Sequence, residues 1–173
     1  MLPGLNRVLV YDPIDDYKSI GTYFTTPGAL CDFFVKNDKL DYCVRFISDD
    51  RSLFDVVCRL VYSIQCVHFV IEEISLYCDS NPYSVPHYLD KIIRFGRRWD
   101  QVLISTSQRP ADIPKILMSQ SSKIVSFRQH QKRDLDALSD YFPGDRLMAL
   151  AQFKYLVYSD NSNDFLAGSV FPP

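Results

Sequence analysis

Residues Val67–Ile74 read VHFVIEEI, an apolar run that ends in two adjacent carboxylates, Glu72 and Glu73. Such a run lacks the polar alternation of a half-buried strand and suits one covered on both faces, as parallel sheets require. In an open parallel sheet the crevice outside the strand C-termini takes the ligand. A carboxylate there can hold Mg2+, directly or through water, and its neighbour can polarise an attacking water. The plain alternative is a strand that ends in two solvated glutamates.

Outward from this run, five more short apolar segments recur: Arg7–Tyr11, Tyr42–Ile47, Val102–Ser105, Ile124–Phe127 and Tyr155–Tyr158. Segments of helical period lie between them, which predicts an α/β fold with a mostly parallel sheet flanked by helices. Ser52 and Asp55 fit a capping box, with Leu53, Val56, Val57, Leu60, Val61 and Ile64 at helical spacing behind it. Ser84 with Pro86 opens a second helix whose Leu89, Ile92 and Ile93 face the sheet. A third is expected over Pro110–Gln120 with Pro114 in its first turn, and a fourth over Gln131–Phe142, stopped by Pro143 and Gly144. Asp12–Leu30, with two prolines and two glycines, reads mainly as loop.

The chain has 173 residues, which suits one domain, and 47% apolar residues, which excludes a disordered chain. No apolar run approaches the roughly 18–20 residues of a membrane span. The start, MLPGLNRVLVYDP, lacks the basic and apolar regions of a signal peptide, so a cytoplasmic site of action is expected. Cys31, Cys43, Cys58, Cys66 and Cys78 are odd in number with no C-x-x-C spacing, and His68, His87 and His130 form no cluster. Buried thiols in a reducing compartment are therefore expected rather than a disulfide frame or a metal knot.

Net charge is −2, yet residues 91–133 carry ten Lys and Arg against Asp100 and Asp112. A +8 segment on a −10 remainder points to a localised anion site. Inside it lies RFGRRWDQVLISTSQRP, Arg94–Pro110: a basic helix end, a strand, then a polar string. The helix dipole accounts for Arg94, Arg97 and Arg98 as a solvated helix end. It does not account for an amide followed by Arg-Pro at the end of a buried strand.

In order and spacing, these segments resemble the FtsK–HerA superfamily of P-loop ATPases, over roughly residues 5–158. The nearest branch is the compact DNA-packaging ATPases of viruses and phages. VHFVIEE resembles a Walker B strand followed by the catalytic glutamate. The resemblance implies a metal-side role for Glu72 and a water-activating role for Glu73, although the family more often carries aspartate at the first position. GRRWDQVLISTSQRP resembles the stretch that ends in T-Q-R-P, which implies that Gln108 is the polar sensor of the γ-phosphate or lytic water. An amide suits that role because it donates and accepts at once. Arg97, Arg98 and Arg109 would contact phosphate, one of them as an arginine finger on a neighbouring subunit. Asp12-Pro13 and RPADIPKILMSQSSKIVSFR resemble the strand after the P-loop helix and the last core helix and strand. The implied cofactors are ATP and Mg2+, and the implied partners are DNA, gripped at its phosphates without base readout, and further copies in a ring.

The resemblance lacks one part. The glycines are Gly4, Gly21, Gly28, Gly96, Gly144 and Gly168, and none is followed by lysine, so no G-x-x-x-x-G-K-[ST] loop is present. The strand and helix that carry it are expected upstream of Leu5, and residues 1–173 are expected to form one α/β domain incomplete at its N-terminus. No ATP hydrolysis is expected of this chain alone. The alternative is a catalytically silent α/β module that binds a protein partner or nucleic acid through residues 91–133.

Overall fold

The computed structural model describes residues 6–38, 40–78, 81 and 84–171. Met1–Leu5, the start of the segment read above as carrying no signal peptide, lies outside the described residues. Two compact units are described separately, Met1–Gln108 and Arg109–Pro173.

The first unit holds strands β1 (Arg7–Tyr11), β2 (Thr22–Phe24), β3 (Tyr42–Phe46), β4 (His68–Ile71) and β5 (Val102–Ser105). They form one all-parallel sheet in the order β2-β3-β1-β4-β5. In β1, Val8 to Tyr11 are at most 1% exposed, as a central strand covered on both faces should be. Three helices supply apolar cover: α1 (Pro27–Lys36) with Leu30 and Phe34, α2 (Arg51–Tyr62) with Phe54, Val57, Cys58 and Val61, and α3 (His87–Phe95) with Leu89 and Ile92. Each such aliphatic or aromatic side chain contributes roughly 1.5–3 kcal/mol by leaving water. Tyr11, Phe46, Phe54 and Tyr77 form one aromatic cluster, with Phe54 stacked on Tyr77 at 4.3 Å.

The second unit holds α4 (Lys115–Ser119), β6 (Lys123–Ser126), α5 (Lys132–Leu138), α6 (Gly144–Met148), β7 (Lys154–Ser159) and β8 (Ser162–Ser169). Its sheet is antiparallel, in the order β6-β7-β8, and its core is Met118, Leu138, Phe142, Leu147 and Leu156.

All six strands expected from apolar runs are present. The two near Ile124 and Tyr155 are strands of the antiparallel sheet and not of the parallel one. A single apolar run does not encode strand direction, which is set by partners far away in sequence. Asp12–Leu30 contains β2 and the start of α1, whose N-cap Thr26 and first-turn Pro27 are a legible start signal inside a stretch read as loop. Gly21, φ +49°, brings its backbone against β3: a Cβ there would lie 1.8 Å from the Cys43 carbonyl oxygen. The cap of α2 is Asp50, which accepts from Ser52 N at 2.8 Å, and not Ser52. Asp55 accepts instead from Tyr88 N at 2.8 Å and fastens the start of α3. Pro114 divides the third expected helix into a 3-10 turn, Pro110–Asp112, and α4, and Gly144 opens α6 rather than ending its predecessor.

Candidate functional site

Because β1, β4 and β5 run in parallel, their C-terminal ends lie side by side, and the ladder continues past them into the loops. Glu72 N donates to Tyr11 O at 3.1 Å, Thr106 N to Ile71 O at 3.0 Å and Ile74 N to Thr106 O at 2.9 Å. Glu72 and Glu73 after β4 therefore meet Thr106–Gln108 after β5.

Glu73 takes the left-handed conformation, φ 50° and ψ 63°, which a non-glycine residue adopts at a cost of about 1–3 kcal/mol. Its neighbours hold it there. Its N–H donates to Thr106 Oγ1 at 3.1 Å. Its Oε1 accepts from the hydroxyls of Ser75 and, at 3.0 Å, Ser107. The N–H of Gln108 reaches both carboxylate oxygens, at 3.3 Å and 3.2 Å. The carboxylate expected to activate water thus also fastens the loop after β5. The Gln108 residue itself is exposed.

Glu72 is half-buried and differently partnered. The hydroxyl of Tyr17 donates to its Oε2 at 2.6 Å. That bond, followed by burial, pushes the Tyr17 phenol up to about 12. Glu72 Oε1 carries no hydrogen bond among the described residues, which leaves one carboxylate oxygen for a cation. Among those residues no group of three or more His, Cys, Asp or Glu side chains could hold a metal. A single carboxylate still fits Mg2+, which keeps several waters and takes its other ligands from phosphates.

Arg97, Arg98 and Arg109 are the remaining expected residues. Arg97 and Arg98 are exposed on the 3-10 turn Gly96–Trp99, ahead of β5, whereas Gln108 follows β5. At about 3.3 Å per residue, this strand keeps those arginines roughly 13 Å or more from the carboxylate end of the same sheet. Arg109 belongs to the second unit, where its Nε lies 3.3 Å from Oδ2 of the buried Asp134. Asp134 Oδ1 also accepts from Ala111 N at 3.1 Å, so this ion pair is part of a turn support.

Tyr17 and the pair Asp12–Arg45, which is almost wholly buried at the end of β1 and in β3, were not among the expected site residues. The signal available was Arg45 itself, a charged residue in the middle of the apolar run YCVRFI. A charge there must find a buried partner.

No protein-family model matches the chain, and no curated protein matches it. Solved structures do. The genome packaging NTPase of Sulfolobus turreted icosahedral virus 2 in complex with AMPPCP has a TM-score of 0.79 at 16% identity, over 98% of this chain and 84% of that one. In complex with ATP-gammaS its TM-score is 0.76 at 17% identity, over 94% and 81%. The DNA-packaging ATPase from Sulfolobus turreted icosahedral virus gives 0.74 at 16% identity, over 97% and 84%. At these identities what is shared is the fold: the chain has the P-loop NTPase-like architecture of a viral genome packaging NTPase.

Proposed function

We propose that the chain supplies the carboxylate and sensor side of an ATP-driven DNA-packaging motor of the FtsK–HerA type. The observation that carries this reading is the junction of Glu72 and Glu73 with Thr106–Gln108 at the C-terminal ends of adjacent parallel strands. In it, Glu72 takes the Mg2+ of ATP and Glu73 orients the attacking water. Gln108 contacts the γ-phosphate, and Arg97 or Arg98 reaches a nucleotide on a neighbouring subunit. Their placement at the far end of β5 supports a role in trans over one within the same chain.

The phosphate-gripping loop is not encoded in these 173 residues. Among the described residues β5 is an edge strand, and its Val102 and Ile104 are 44% and 39% exposed, whereas Phe69 and Ile71 of β4 are fully buried. A further strand laid along that edge, with the phosphate loop after it, would cover them and complete the nucleotide site. Arg94 is tied to Asp90, Arg109 to Asp134 and Arg133 to Asp112, so the basic segment is partly neutralised within the fold. This favours the motor over a silent module that binds through residues 91–133.

The test is a titration with Mg2+ and AMPPCP, on this chain and on the protein extended by its upstream reading frame. The extended protein is expected to bind and hydrolyse ATP, and Glu73→Gln to bind it without turnover. Failure of the extended protein to bind nucleotide, with DNA binding lost in Arg97→Ala/Arg98→Ala, would instead establish the silent module.

A further inference from the structure

The segment after β1, Asp12–Gly21, is marked in the sequence by little more than charge, a proline and a glycine, yet it folds as a supported platform. Asp12 is fully buried, and both its oxygens accept from backbone N–H groups of its own loop: Oδ1 from Asp16 and Oδ2 from Tyr17, each at 3.0 Å. Arg45 on β3, itself 4% exposed, closes the loop from the other side. Its Nη1 donates to Asp12 Oδ2 at 3.2 Å and to Asp15, and its Nε donates to Ile20 O at 2.9 Å. A buried ion pair yields little net stability, because desolvation offsets the attraction. What this one does is fix the backbone of Tyr17. The Tyr17 side chain then reaches the end of β4, 55 residues away, where its hydroxyl meets Glu72 Oε2 at 2.6 Å.

We propose that Tyr17 is a positioning residue for Glu72, its hydroxyl holding Oε2 so that Oε1 is presented to the divalent cation of the nucleotide. The Asp12–Arg45 pair is the support that holds Tyr17 in place. This rests on the reading of Glu72 as the cation-side carboxylate. Mg2+ takes few ligands from the protein in such sites, so the orientation of one carboxylate weighs heavily on its capture. A free glutamate must lose rotamer freedom on taking the ion, and a phenol already bonded to one oxygen imposes that order beforehand. A neutral donor does this without adding a charge that would repel the cation. Outer partners of metal ligands commonly contribute on the order of 10–100-fold in affinity. Tyr17→Phe removes the donor alone, since the bond to Asp12 is made by the Tyr17 backbone.

The test titrates Mn2+ into the protein extended by its upstream reading frame, in the presence of AMPPCP and against a protein-free Mn2+–AMPPCP baseline, following loss of the free-ion paramagnetic resonance signal. Wild type, Tyr17→Phe, Glu72→Gln and the double variant are compared, with circular dichroism to check the fold. Glu72→Gln is expected to weaken Mn2+ binding, Tyr17→Phe to weaken it on the order of tenfold or more, and the double variant to bind no more weakly than Glu72→Gln. A merely structural loop residue would add its effect to that of Glu72→Gln, and additivity overturns the proposal. If Glu72→Gln weakens binding while Tyr17→Phe does not, Tyr17 has no positioning role and the reading of Glu72 stands. If neither variant changes Mn2+ affinity, the cation role of Glu72 fails and the proposal falls with it.

Discussion

The backbone N–H of Gln108 donates to the carboxylate of Glu73, 3.2 Å from Oε2 and 3.3 Å from Oε1, across 35 residues of sequence. The water-activating candidate therefore carries a structural duty as well. Removing it leaves the Gln108 N–H and the Ser75 and Ser107 hydroxyls without their shared acceptor. Glu73→Ala is expected to destabilise the protein by about 1–3 kcal/mol without any nucleotide. Urea denaturation checks this, and an unchanged midpoint would remove the structural duty.

The buried pair behind the Asp12–Gly21 loop should be among the most sensitive points of the first unit. Arg45→Met leaves Asp12 charged and buried, and breaking such a pair costs about 3–5 kcal/mol. The double variant Asp12→Asn/Arg45→Met is expected to be less destabilised than the sum of the two single changes, because the residues share one network. Chemical denaturation of the four proteins measures this coupling.

The Tyr17 phenol gives a pH signature. Its folded value, about 12, lies above the ordinary 10.0, with the bond to Glu72 as the first cause and burial the second. The folded state favours the protonated phenol, so its contribution to stability is fully present below pH 10 and is lost as pH rises towards 12. The ultraviolet difference titration between wild type and Tyr17→Phe is expected to show one phenol ionising near 12. Glu72→Gln should move that step towards 10.

In the second unit, Gly168 on β8 faces the ring of Tyr155 on β7. A Cβ at this position would lie 2.3 Å from Tyr155 Cζ. Gly168→Ala must displace the ring and is expected to cost about 1–3 kcal/mol by overpacking. Tyr155→Leu, which shortens the obstructing side chain, should recover part of that loss in thermal unfolding.

The five cysteines divide by burial rather than by pairing. Cys58 is buried in α2, where desolvation raises its thiol well above the ordinary range, while Cys66 is exposed. A thiol reagent such as dithionitrobenzoate is expected to modify Cys66 in the native protein and Cys58 only on unfolding.

What was legible in the sequence was what local pattern encodes. Apolar runs give the strands, as in RVLVY and VHFVI, and two carboxylates after VHFVI give the strand end where chemistry is possible. What was not legible depends on distant partners. The direction of β6 and β7, the support of Glu73 by Thr106 and Ser107, and the contact of Tyr17 with Glu72 each join residues far apart in sequence. The cap of α2 failed for a local reason. Asp50 and Ser52 are both good cap residues, and in the fold it is Asp50 that takes the extended backbone, ψ 106°, and accepts from Ser52 N.

The central position of β1 has a consequence for the making of the protein. Val8 pairs with Cys43 on one side and with His68 on the other, about 35 and 60 residues further along. On a ribosome adding about 5–20 residues per second, the apolar strand waits roughly 3–12 s for its second neighbour to be synthesised. Pairings that distant also form slowly once available. For that interval Val8, Leu9 and Val10, buried in the finished sheet, are exposed on the nascent chain. That interval is when a holding chaperone would bind this strand and when misassociation between nascent chains would begin.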